Sequence, residues 1–283
     1  MRLLNVNTLE LKLFAGNQIP AYAILSHTWD EEEITFEDIA NESIASESAA
    51  ARCKSGFSKI KGTCERAAYH GYQWVWIDSC CIDKSSSAEL QEAINSMWNW
   101  YKNANVCYAY LAGVPNRLSG WSDQFRRSRW FTRGWTLQEL IAPWSVEFYA
   151  ADWSQIGTKL RRLDEIHNIT GISKITLKTS NPEYERVAEV MSWAAHRNVT
   201  REEDLAYSLM GLFDINMPML YGEGSTKAFL RLQEEIFKRR PDHSLFLYTY
   251  SSAVSSASLL AESPTQFCRS LGAECYCQQI RPG

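Results

Sequence analysis

The sequence predicts an α/β protein: a mostly parallel β-sheet flanked by helices, with a helical extension towards the C-terminus. Three observations carry this. Short apolar runs rich in β-branched and aromatic residues recur at 21–29, 73–78, 105–111 and 145–151, as strands buried on both faces do. Segments with helical apolar spacing separate the earlier runs, long enough for the crossovers that parallel strands need. After Trp153 the strand-like runs give way to helical patterning. At 283 residues the chain exceeds the usual domain size of roughly 100–200, so we expect a core over 1–152, a helical part over 153–245 and a poorly ordered tail over 246–283.

The first expected strand is the run Ala21 to Trp29, whose carboxyl end carries Ser26, His27 and Trp29 into an acidic loop, Asp30 to Glu33. In an open α/β sheet that end is where ligands bind. Residues 41–55 are rich in Ser, Ala and Glu and read as an exposed loop or a marginal helix. A helix is expected from Phe57 to His70, because Phe57, Ile60, Cys64 and Ala67 with Ala68 share one face. Gly71 ends it, and the second strand, Gln73 to Asp78, delivers Asp78, Ser79 and Cys80.

From Ser87 the positions Leu90, Ile94, Met97, Trp98 and Tyr101 recur at core-packing spacing on a helix. Asn105 to Leu111 is the third strand, closed by Gly113 and Pro115. The basic, aromatic stretch Arg126 to Arg133 then enters a short helix that Pro143 stops, with Glu139 a lone carboxylate among Trp135, Leu137 and Leu140. Ser145 to Ala151 is the fourth strand. In the helical part, Thr200 and Glu203 have the spacing of a capping box, predicting a helix from Thr200 with Leu205, Leu209 and Leu212 inward. Thr226 to Arg240 is an amphipathic helix with Phe229, Leu232 and Ile236 inward. From Ser251 no periodicity remains, and little stable structure is expected.

Composition narrows the function. A hydrophobic fraction of 45% with a net charge of −4 fits a globular protein and argues against broad nucleic-acid binding. No apolar run approaches the ~20 residues of a membrane span, and the N-terminal residues lack the apolar core of a secretory signal. The eight cysteines lack paired Cys-x-x-Cys spacing, so no metal site is expected. Cys80, Cys81 and Cys107 read as reduced, buried thiols of a cytoplasmic protein. The carboxylates are not clustered as a metal-dependent nuclease requires.

The residues able to carry chemistry are Ser26, His27, Trp29, Asp78 and Cys80 at the strand ends, together with Arg133, Trp135 and Glu139. Each has a plainer reading. His27 is a base or a packed, hydrogen-bonded histidine; Asp78 is a ligand or a cap of the following loop. Glu139 is a catalyst or one half of a salt bridge to Arg133 or Arg129. No Ser-His-Asp triad order, Walker loop or Gly-rich dinucleotide fingerprint is present.

Five segments in one order, Ala23–Trp29, Trp76–Asp83, Glu89–Met97, Arg133–Pro143 and Asp204–Asp214, resemble the fungal heterokaryon incompatibility (HET) domain. Met217–Gly224 and Leu259–Pro264 are also similar to its C-terminal part, whereas the tail from Cys268 is not. The resemblance implies a role in fungal non-self recognition, in which the domain triggers regulated cell death, often as the effector part of a receptor. It further implies a distant relation to TIR domains, and hence a TIR-like (flavodoxin-like) sheet. Trp135-Thr-Leu-Gln-Glu139-Leu is similar to the Trp-Cys-x-x-Glu-Leu signature of TIR enzymes, with Thr136 in place of the cysteine.

What that similarity implies is NAD(P)+ glycohydrolase chemistry, with NAD or a related nucleotide as substrate and no other cofactor. Glu139 would be the catalytic carboxylate, stabilising an oxocarbenium-like ribosyl carbon. Ser26, His27, Trp29, Asp78, Cys80, Arg133 and Trp135 would bind substrate, a tryptophan stacking on a ring and Arg133 pairing with pyrophosphate. The implied partners are further copies of the chain on activation and a separate sensor protein, with no membrane and no nucleic acid. The competing reading is a non-enzymatic TIR-like adaptor that acts by self-assembly. Its contact surface would be the exposed face of helix 57–70 or the loop Asp30–Glu33.

Overall fold

The computed structural model describes residues 1–41, 50–115, 121–249 and 259–268. They divide into two compact units: the first comprises Met1–Trp121 with Pro143–Thr158, the second Ser122–Ala142 with the chain from Lys159 onward. The segment that carries Glu139 therefore belongs to the second unit.

The first unit is built on a seven-stranded sheet of β1 (Arg2–Asn5), β2 (Leu11–Leu13), β3 (Ala23–His27), β4 (Trp74–Trp76), β5 (Val106–Tyr110), β6 (Val146–Tyr149) and β7 (Gln155–Thr158), in the order β2-β1-β4-β3-β5-β6-β7. The four expected strands form its parallel centre: β3 pairs with β4 and with β5, and β5 with β6, all in parallel. Every residue of β3 and β5 is buried, which is why these runs carry no polar alternation. The expected first strand is third in the chain. The unforeseen β1, β2 and β7 add antiparallel pairs at both edges, making the sheet mixed.

Around the sheet run α1 (Phe36–Asn41), α2 (Phe57–Tyr69) and α3 (Ser87–Asn103). In α2, Ile60, Cys64 and Ala67 are buried as their spacing predicts, and so is Lys59, which it does not. Gly62 brings α2 against Trp153, where a Cβ would lie 2.1 Å from the indole nitrogen. Gly71, at φ +82°, supplies the left-handed turn after α2. Ser86 caps α3 by accepting the Glu89 N–H, and Ala93, Ile94, Met97 and Tyr101 face the core.

The remaining helices are α4 (Trp121–Arg126), α5 (Thr136–Ile141), α6 (Leu163–Thr170), α7 (Lys174–Thr179), α8 (Val187–Ser192), α9 (Asp204–Tyr207) and α10 (Ser225–Arg239). In α10, Phe229, Leu232 and Ile236 point inward as expected, joined by Gln233, whose amide bonds Ala261 in both directions. The helix predicted to start at Thr200 does not: α9 begins at Asp204 without a side-chain cap. The capping box fails because both its members are engaged elsewhere. Thr200 accepts from Arg133, and Glu203 accepts the N–H groups of Gly222 (2.7 Å) and Gly224 (3.2 Å).

Of the region expected to lack structure, residues 250–258 and 269–283 lie outside the described residues. Between them a 3-10 turn at Pro264–Phe267 buries Phe267 completely. Most of the loop expected over 41–55 also lies outside the described residues, and Ala50–Cys53 forms a 3-10 turn.

Candidate functional site

In the first unit the chain runs from β3 to β4 on one side and then crosses back to β5 on the other, so the sheet's switch point lies between β3 and β5. The carboxyl ends of β3 and β4 bring three sequence-predicted residues, His27, Trp29 and Asp78, into contact. His27 Nε2 lies 2.9 Å from Asp78 Oδ1, and Trp29 Nε1 donates to Asp78 Oδ2 at 2.8 Å. Burial opposes ionisation of Asp78, but Lys84, His27 and the Trp29 indole outweigh it and hold the carboxyl well below its usual range. Ser26 is buried within β3, where it is the residue before His27 and so faces the other side of the sheet. Cys80 is completely buried, its thiol pushed well above its ordinary value by a hydrogen bond with Cys81 and by burial.

A second layer supports this cluster. The buried Lys59 ammonium donates to Thr28 O at 3.0 Å, to Asp30 Oδ2 at 2.8 Å and to Glu33. Glu33 also accepts the Asp30 N–H at 2.9 Å, which fixes the turn after β3. His27 Nδ1 lies 3.8 Å from Glu33, too far for a hydrogen bond. The imidazole thus stands between two carboxylates, with Asp78 the nearer.

In the second unit, Arg133, Trp135 and Glu139 occupy the approach to α5 and its first turns. Asn198 bonds Thr132 and Gly134 through the backbone, and a Cβ at Gly134 would lie 2.5 Å from Val199, so only glycine permits this approach. Arg133 donates to Thr200 Oγ1 at 3.0 Å. Trp135 Nε1 donates to Asp204 Oδ2 at 3.2 Å, and the Tyr221 hydroxyl to Oδ1 at 3.0 Å. Burial raises the Asp204 pKa despite these donors.

Glu139 is 6% exposed. The buried cation coupled to it is Arg197, which spacing did not single out. Arg197 donates through Nη1 to Arg133 O (2.7 Å) and Thr136 Oγ1 (3.0 Å), and through Nε to Trp193 O (3.1 Å). Burial pushes the guanidinium down to about 9, and the Glu139 charge works in the opposite direction. Thr136 is thus one of the three acceptors that seat this arginine. Among the described residues no group of three or more His, Cys, Asp and Glu is arranged to hold a metal ion.

Residues 22–120 match the model of the heterokaryon incompatibility protein (HET) family. Over 231 residues the chain is 46% identical to the vegetative incompatibility protein HET-E-1 of Podospora anserina. This chain belongs to the heterokaryon incompatibility (HET) family. The alignment covers 79% of the chain but 16% of HET-E-1, so the chain spans a small part of that relative's length. Residues 227–269 match a domain of unknown function, DUF8212, and no solved structure matches the chain. The HET match takes in the whole His27–Asp78–Lys84 cluster, whereas Glu139 lies outside both matched segments. No helix among the described residues is long and apolar enough to cross a membrane.

Sequence reasoning missed Lys59, Arg197 and Asp204. Lys59 lies next to Ile60 on a helix whose apolar face had been identified, and a lysine there reads as surface until its carboxylate partners are located. Arg197 and Asp204 reach the Glu139 segment from distant parts of the chain, and spacing carries no signal for such pairs.

Proposed function

We propose that this HET-family chain is an effector module of fungal non-self recognition that triggers regulated cell death in the cytoplasm by hydrolysing NAD at the nicotinamide glycosidic bond. The observation that carries the reading is Glu139: a buried carboxylate on the short helix α5, electrostatically coupled to the buried Arg197. A buried carboxylate is retained only with compensating partners, and one so held can do electrostatic work in a low dielectric. The parallel strands support the reading from another side. Their order β4-β3-β5-β6 is the 2-1-3-4 order of flavodoxin-like sheets, the class to which a TIR-like core belongs. The name of the vegetative incompatibility relative supports the biological role.

In this mechanism the bond between the ribosyl carbon and the ring nitrogen breaks, and its electron pair neutralises the pyridinium. Nicotinamide therefore leaves without acid help. The Glu139 carboxylate stabilises the oxocarbenium-like carbon, and water adds to that carbon with loss of a proton. Arg197 holds the first turn of α5 through Arg133 O and Thr136 Oγ1, which fixes the carboxylate's backbone. The active form in this reading is a homo-oligomer released by a separate sensor protein.

The test is nicotinamide release from NAD by the purified, concentrated protein. Glu139→Gln is expected to lower the rate by at least about 10²-fold in a protein that still folds, because Arg197 keeps its hydrogen bonds to Trp193 O, Arg133 O and Thr136 Oγ1. A folded Glu139→Gln protein with full turnover overturns the hydrolase. The adaptor reading then follows if expression of Glu139→Ala stays toxic while charge reversal at the exposed Glu31 and Glu32 relieves it.

A further inference from the structure

Six cysteines lie among the described residues, and four of them, Cys64, Cys80, Cys81 and Cys107, are buried. Burial pushes the Cys64 thiol up to about 12, and thiols enclosed in this way are inert. Cys53 is exposed, but among the described residues its thiol makes no hydrogen bond. Cys268 differs from both kinds. It is half-buried, and its Sγ lies 3.0 Å from Nε2 of the exposed His196, within the roughly 2.6–3.2 Å over which a base activates a nucleophile. His196 follows α8 and Cys268 ends the turn Pro264–Phe267, both in the second unit. Other groups fasten that turn. Ser263 and Gln266 cap it, Phe267 is buried against the Phe229 and Tyr248 rings, and Gln233 bonds Ala261 in both directions. The thiol and the imidazole therefore meet on a fixed base that does not depend on them.

We propose that Cys268 and His196 form a reactive thiol–imidazole pair, a modification site at which hydroperoxides oxidise Cys268 to a sulfenic acid. The thiol S–H donates to His196 Nε2, and transfer of that proton leaves a thiolate beside an imidazolium, the form in which sulfur attacks. The sulfur then attacks the terminal oxygen of the hydroperoxide. An S–O bond forms as the O–O bond breaks, and the departing oxygen takes the proton held by the imidazolium. The sulfur is oxidised by two electrons, and the hydroperoxide is reduced to an alcohol, or to water where it is hydrogen peroxide. Sulfenic acid is the reversible first step of thiol oxidation, since a second thiol restores the cysteine through a disulfide. The site stands apart from Glu139, so its existence does not depend on the hydrolase reading.

The experiment exposes the full chain to hydrogen peroxide at neutral pH with dimedone present to trap sulfenic acid, and follows the loss of each free thiol by peptide mass spectrometry. Cys53 serves as the internal comparison, an accessible thiol without the imidazole. Cys268 is expected to react at least about tenfold faster than Cys53 and to carry the dimedone label. His196→Asn should bring the Cys268 rate down to that of Cys53 and leave the Cys53 rate unchanged. The buried Cys64 reports on the fold, because it reacts only if the protein opens; should His196→Asn expose it, His196→Gln gives the same reading. Equal rates at Cys268 and Cys53 in the parent protein overturn the proposal. So does an unchanged Cys268 rate in a His196 variant whose Cys64 stays unreacted.

Discussion

Two aspartates, one in each unit, accept the indole N–H of a tryptophan, yet their carboxyl groups are shifted in opposite directions. Asp78 in the first unit takes Trp29 at 2.8 Å and is held well below the usual range; Asp204 in the second takes Trp135 at 3.2 Å and is raised. Burial is the largest influence on both and opposes ionisation of both. The difference lies in the other partners. Asp78 has Lys84 and His27, whereas Asp204 has the neutral Tyr221 hydroxyl and an attraction to Arg201, whose guanidinium lies over the Tyr221 ring. Neutral donors satisfy a buried carboxylate's geometry, but nearby cations decide its charge.

The largest expected effect tests how far the first unit depends on its cations. Lys59 serves Thr28, Asp30 and Glu33 from inside the protein. Lys59→Met should destabilise the chain by about 3–5 kcal/mol, because it leaves the buried Glu33 uncompensated. Adding Glu33→Gln should recover part of that loss. Chemical denaturation of the two single variants and the double variant measures the coupling. A double variant no better than Lys59→Met would show that the lysine acts through packing rather than charge.

A smaller effect, with opposite signs in the two units, concerns pH. The folded pKa of Asp78 lies below its ordinary value of 3.8, so its contribution is present above about pH 4 and is lost as pH falls below it. Asp78→Asn should therefore be less stable than the parent near neutrality, by about 1.5–3 kcal/mol, with the gap closing in acid. The folded pKa of Asp204 lies above its ordinary value, so the parent loses stability as pH rises from 3.8 through the folded value. Asp204→Asn, which mimics the protonated form, should gain on the parent from acid to neutral pH. Melting temperatures from pH 3 to 8 compare the two slopes, and slopes of the same sign would refute the contrast.

The same contrast explains how much of the molecule was legible in the sequence. The parallel centre was, because Ala23–His27 and Val106–Tyr110 are buried throughout and their apolar character is continuous. The edge strands were not: Leu11–Leu13 has three residues, too few to show alternation, and its pairing with Arg2–Asn5 is decided by the rest of the sheet. Glu139 stood out as a single charge in an apolar setting, and His27 and Asp78 stood out at strand ends. Their partners did not, because a lone Arg197 or Lys59 reads as solvated charge. The capping box at Thr200 failed for a related reason. Local spacing was right, but Arg133 and the glycine turn at Gly222–Gly224 compete for the same side chains.

The smallest expected effect isolates one neutral donor. The Tyr221 hydroxyl donates to Asp204 Oδ1 at 3.0 Å, and that bond lowers the carboxyl pKa while burial raises it. Tyr221→Phe keeps the ring and removes the hydroxyl, so its cost near neutrality should be about 1 kcal/mol. The sign on pH is fixed by the same bond. Without the donor the Asp204 pKa rises further, so the loss of stability on leaving acid extends to higher pH than in the parent. The penalty of Tyr221→Phe should then be smallest where Asp204 is protonated and grow as it ionises. In an Asp204→Asn background that growth should vanish, because the amide does not titrate. A pH dependence that survives in the double variant would show that Tyr221 reports on another group, and the contrast between the two aspartates would lose its account in the second unit.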